Sequence, residues 1–211
     1  MRHFIGRTLI LTTAIAALTA CGGGSSTDTQ AAADKPIAVN WDLVGRDSQI
    51  SFASIKQGDI SERHNFKDIS GGVSSSGGVN IDIALASVNT NIDLRDERMR
   101  EHLFQTETFP TANLRTQINF TDFETLSLGQ RKKMTLGFDL SLHGAENEVE
   151  GDIYITRIHP DRVLVETIGP VFIHIDDYGL TEGINTLRNL ASLDTITPSI
   201  PVTASLIFER N

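Results

Sequence analysis

Alternation is the constraint that this chain cannot escape. Val79-Asn-Ile-Asp-Ile-Ala-Leu85 puts an apolar residue at every second position, with Asn80 and Asp82 between them. A period of two is the period of a β-strand with one buried face. Residues 132–143 repeat the pattern at greater length, with Met134, Leu136, Phe138, Leu140 and Leu142 opposite Thr135, Gly137, Asp139 and Ser141. Shorter versions run over 40–44, 48–56, 111–121, 148–158, 162–168, 171–176 and 201–209, and a weaker one over 64–73. Between them fall a polar connection at 57–63, a glycine-rich hairpin turn at 71–78, a turn at 144–147 and a Pro-Asp turn at 159–161. About eight strands make a sheet with exposed edges unless it closes, so the expected fold is all-β: an extended antiparallel barrel.

Two stretches break the pattern. Residues 90–104 carry the spacing of a charged helix, with Asp93 at the N-cap, Asp96 in the capping-box position, and Met99 and Leu103 on one narrow apolar face. Asp96 and Glu97 lie within pairing distance of Arg100 on the other face. A helix of this kind among strands is read as a lid or corner, with Arg95 and Asp96 fixing it to the sheet. Residues 181–193 form a second short helix, placing Ile184, Leu187 and Ala191 at helical spacing.

The first twenty residues read as a leader: Arg2 and Arg7 precede a short apolar run over 9–18 that is too brief to span a bilayer. It ends Leu18-Thr-Ala-Cys21, which resembles a bacterial lipobox, and Cys21 is the only cysteine in the chain. No disulfide can form within one chain. The resemblance implies cleavage before Cys21 and acylation of its thiol. The expected organisation is therefore a lipoprotein signal peptide over 1–20, a flexible Gly/Ser/Ala/Thr tether over 21–38, and one β-barrel domain over 39–211. Gly22 follows the cysteine, where an Asp would signal inner-membrane retention under the enterobacterial sorting rule. The expected address is thus the periplasmic side of the bacterial cell envelope, on the outer membrane.

A formal charge of -9 and the lack of any basic stripe exclude a nucleic-acid partner. Nucleophile, dithiol and metalloprotease motifs are absent from the sequence, which makes an enzyme the weaker class. His174 and Asp176 are two candidate ligands on one strand, which do not make a metal site. No cofactor is expected.

The order Ser87-Val-Asn-Thr90, Arg95-Asp96, Arg100-Glu-His-Leu-Phe104, Phe109-Pro110, Leu140-Ser-Leu-His-Gly144 and Asp177-Tyr-Gly-Leu180 resembles the YceI-like family. The match runs from about Trp41 to Arg210. The hairpin Gly144-Ala-Glu-Asn-Glu148 is more acidic than the family pattern, and a helical insert follows Leu180. The resemblance implies a lipocalin-like barrel that holds a long isoprenoid or quinone-type lipid in its lumen.

Alternation alone points Ile50, Phe52, Val79, Ile81, Ile83, Leu114, Ile118, Leu136, Phe138, Leu140, Val163 and Val165 inward. The resemblance makes them ligand lining where they would otherwise be ordinary core. His64 and His143, read near strand ends, are candidates to hydrogen-bond a ligand's head group. The expected partners are that lipid and, through the anchor, a membrane; a homodimer stays open. The alternatives are a solidly packed barrel acting as an envelope interaction protein and, more distantly, a hydrolase or transferase using His64 or His143.

Overall fold

The computed structural model of the chain describes residues 39–123 and 126–211, so the expected leader, Cys21 and tether lie outside the described residues. The strands, in chain order, are β1 (Trp41–Leu43), β2 (Gln49–Lys56), β3 (Ile60–Phe66), β4 (Ile69–Val73), β5 (Gly78–Ala84), β6 (Val88–Asn89), β7 (Thr111–Gln117), β8 (Arg131–Leu142), β9 (Ala145–His159), β10 (Arg162–Thr167), β11 (Val171–His174) and β12 (Ser199–Arg210). All belong to one sheet, and neighbouring strands run antiparallel.

The twelve segments make eight staves. β1 and β2 lie end to end along β12, where Leu43 faces Phe208 and Ile50 faces Ala204. β3 and β4 lie end to end along β2 and β1, and β5 and β6 along β4 and β3. β10 and β11 share the opposite edge of β12. The result is an up-and-down meander that closes where β12 meets β1 and β2. Ser87 holds two of the kinks: its hydroxyl accepts the backbone N–H groups of Lys67 and Asp68 and donates to the Ala84 carbonyl at 2.7 Å. Backbone groups that the bend removes from the ladder are thus still partnered.

Both helices sit at one end of the barrel. α1 (Asp93–Arg98), prolonged by a wider turn over Met99–Leu103, connects β6 to β7, and α2 (Thr181–Leu190) connects β11 to β12. Met99 and Leu103 are buried on the expected underside. The two helices touch where α2 has no side chain: a Cβ on Gly183 would lie 2.6 Å from the His102 carbonyl oxygen and 2.8 Å from the Leu103 Cα. One core cluster spans this end and most of the barrel, and a smaller one around Phe123, Leu126, Ile153 and Ile155 fills the other.

Three local expectations are corrected. Residues 57–63 are mostly strand: the turn is confined to 57–59, and β3 begins at Ile60, because pairing with β2 outweighs the polar character of the run. The turn after β8 is the pair His143–Gly144, with φ of 51° and 81°, as a two-residue hairpin requires. Residues 145–147 already pair with β8. Asp93 makes no cap bond. Asp96 turns inward and, instead of pairing with Arg100 on the surface, accepts from the Thr90 N–H at 2.8 Å and the Thr90 hydroxyl at 2.5 Å. Charge-assisted bonds in a buried setting outweigh an exposed helical ion pair.

Candidate ligand-binding site

The inward faces enclose a cavity of about 430 Å³. Its lining runs from Arg98 and Leu187 under the helices to Trp41 and Phe123 at the far end. Alternate residues of every long strand supply it, as the pleat demands. All twelve positions expected to point inward do line it: Ile50, Phe52, Val79, Ile81, Ile83, Leu114, Ile118, Leu136, Phe138, Leu140, Val163 and Val165. The lumen is therefore not filled by its own side chains, and the solidly packed alternative is not what this sequence adopts.

The size has an energetic meaning. Small-molecule pockets generally measure about 300–1,000 Å³, and an engineered apolar void of about 150 Å³ already binds benzene. At about 24 cal/mol per Å³, an empty void of this size would cost about 10 kcal/mol. That is comparable to the whole stability of a typical domain, about 5–15 kcal/mol. An apolar guest that fills the space removes much of that cost.

Polarity is concentrated at the helix end, on one pair of strands. In the ladder between β2 and β3, the inward pairs are Ile50 with Phe66, Phe52 with His64, and Ser54 with Glu62, and Lys56 follows at the rim opposite the exposed Ile60. The lining thus passes from apolar to charged in four steps. Glu62 accepts from Lys56 at 2.7 Å and from the Arg95 Nη1 at 2.9 Å, while the Arg95 Nη2 donates to the Thr90 carbonyl at 2.8 Å. With Asp96 holding Thr90, this network fastens α1 to the β2–β3 hairpin beside the opening. The Lys56 hydrogen bond, with help from Arg95, keeps the Glu62 carboxyl below the usual carboxylate range despite partial burial.

His64 lies one step deeper and is only 3% exposed, in the middle of β3 and not at a strand end as the sequence suggested. Its Nε2 is 3.0 Å from the Ser54 hydroxyl, and its Nδ1 is buried without a hydrogen-bond partner. Burial, with the nearby Arg95 cation, lowers its pKa from 6.5 to about 4, against the opposing pull of Glu62 and Asp96. The imidazole is neutral at ordinary pH. His143 does not reach the cavity: it occupies the β8–β9 turn, where its ring lies 4.4 Å from that of Phe109 and its Nδ1 3.1 Å from the Tyr178 carbonyl. The far end carries a residue the sequence reading missed, Arg157, 2% exposed and donating to the Leu126 and Pro160 carbonyls.

Ser54, Lys56, Glu62 and Arg157 were legible by parity: counting in twos from Ile50 and Phe52, or back from Val165 across the ladder through Ile155, arrives at them. Their polarity hid them. Among the described residues no cluster of three or more His, Cys, Asp or Glu side chains is placed to hold a metal ion.

Comparison with known proteins agrees with this geometry. A family model described as the YceI-like domain matches residues 41–208. A solved polyisoprenoid binding domain from Saccharophagus degradans, implicated in plant cell wall breakdown, is 34% identical. The match covers 81% of this chain and 98% of that one, with a TM-score of 0.79. BcnA of Burkholderia cenocepacia has the same fold at 14% identity, over 79% of this chain and 99% of that one, with a TM-score of 0.60. No curated protein matches.

Proposed function

The chain belongs to the YceI-like domain family, and on that premise we propose that it is a lipid-anchored envelope protein whose barrel holds one long isoprenoid or quinone-type lipid. The observation that carries the proposal is the cavity of about 430 Å³, apolar along nearly its whole length. The similarity to a polyisoprenoid binding domain supports the choice of guest. In this reading the inward rows of Ile, Val, Leu and Phe clasp the tail, and the role is binding, not catalysis.

The anchor belongs to the same proposal. Acylated Cys21 and the Gly/Ser/Ala/Thr run after it would hold the barrel within roughly 20 Å of a bilayer, on the periplasmic face of the outer membrane. Proximity matters because burial from water contributes about 0.8 kcal/mol per methylene, yet the bilayer offers the tail an equally apolar home. The hydrophobic term largely cancels, and selectivity falls to lumen shape and to polar contacts at the head.

Mass spectrometry of organic extracts tests this on purified residues 39–211, which lack the anchor's own acyl chains. That span contains every strand of the closed sheet, and the Saccharophagus domain of matching extent is a structure in its own right. A stoichiometric prenyl lipid or quinone is the expected result. Its absence, repeated after incubation with quinones and polyprenols, would contradict the proposal.

A further inference from the structure

Resting on the prenyl-lipid reading, we infer that His64 reads the ligand's head group as a hydrogen-bond donor, through its Nδ1–H, to an uncharged oxygen on an aromatic or quinonoid ring. The ring would lie inside the lumen, below the charged opening. Two observations independent of one another point there: a deeply buried nitrogen without a partner, and a row of aromatic faces beside it.

His64 is 3% exposed, lines the cavity, and leaves Nδ1 unpartnered. Buried polar atoms in folded proteins are nearly all hydrogen-bonded, so an unpartnered one on a side chain that lines the lumen marks where a partner sits when the lumen is full. Ser54 determines which partner that is. If its hydroxyl donates to Nε2, Ser54 is satisfied and Nδ1 carries the proton, leaving a single unfilled group, a donor. If instead Nε2 donates to Ser54, the serine proton and the Nδ1 lone pair are both left over. The first arrangement leaves fewer groups unsatisfied, and it calls for an acceptor oxygen on the guest.

The surroundings select the rest of the head group. Phe52 meets the His64 ring at 5.2 Å and Phe66 at 5.4 Å, and Phe66 meets Phe104 at 5.7 Å. This strip offers ring faces and edges to a planar ring, which a simple prenol lacks. The cations at the helix end already have partners within the chain: Glu62 engages Lys56 and Arg95, and Arg98 donates to the Leu190 carbonyl. A neutral carbonyl suits the single unpartnered donor of His64 better than a phosphate does.

The test uses residues 39–211 and three probes sharing one short prenyl tail: a benzoquinone, the benzene analogue without ring oxygens, and a prenyl phosphate. Each competes from detergent micelles, with bound lipid quantified by mass spectrometry. The quinone should bind about tenfold tighter than the benzene analogue, the amount one buried hydrogen bond supplies. In His64→Leu that ratio should fall to about one while benzene-analogue binding holds, and His64→Gln, which keeps a donor, should retain part of it. Side-chain nitrogen NMR of the ligand-free protein should show His64 protonated at Nδ1.

An unchanged ratio in His64→Leu would overturn the inference, as would tighter binding of the phosphate or a proton on Nε2. If all three probes bind wild type equally, only the head-group role falls. If none binds, the prenyl-lipid reading itself falls, and this inference with it.

Discussion

Asp96 shows how much one buried carboxylate holds. It anchors Thr90, which in turn receives Arg95, and so ties α1 to the strand that precedes it. Asp96→Ala leaves the Thr90 N–H and hydroxyl without their acceptor and should destabilise the domain by about 3 kcal/mol, read by denaturant unfolding. His64 acts in the opposite sense. Its pKa is about 4 in the folded chain against 6.5 unfolded, so between those values the unfolded chain binds the extra proton. The stability that neutral His64 permits is complete above about pH 6.5 and is lost as pH falls toward 4, by about 3 kcal/mol over the whole window. The rest of the chain contributes to the acid dependence as well, so the check is a difference: His64→Leu should lose less stability than wild type between pH 7 and pH 4.5.

At the scale of the element, the two helices form one cover because α2 lays Gly183 directly on the turn that ends α1. Gly183→Val would force them apart and should cost about 1–3 kcal/mol, while speeding ligand exchange at that end, measured as release of preloaded lipid to acceptor vesicles. Strands were legible where one face is buried and the other wet, as in 79–85 and 132–143, because the period of two is then written directly in the residues. β3 was legible only in its second half, because its inward positions are Glu62 and His64, which a hydrophobic pattern cannot distinguish from a loop. The twelve lumen positions followed from parity. Lys56 shares that parity but its charge hid it, Glu62 and Arg157 emerge only once the register across the ladder is known, and Arg95 sits on α1, outside the alternation. His143 illustrates the converse error: the two-residue turn takes it out of the alternation, and its side chain goes to Phe109 and the Tyr178 carbonyl instead of the lumen.

Over the whole molecule, the barrel trades core for cavity. Eight staves enclose an interior just wide enough for side chains or for one slender guest, and here the side chains stop short of the axis, leaving about 430 Å³. The guest then completes the core, so the loaded protein should melt higher than the extracted one by an amount that grows with lipid concentration. The central claim is that this lumen, and not an outer groove, takes the lipid. Native mass spectrometry tests it by comparing wild-type residues 39–211 with a variant carrying Leu114→Trp and Val165→Phe, both on the cavity lining. The account predicts one equivalent of prenyl lipid on the wild type and none on the variant, with the variant at least as stable in the absence of lipid. Equal uptake by both would contradict it.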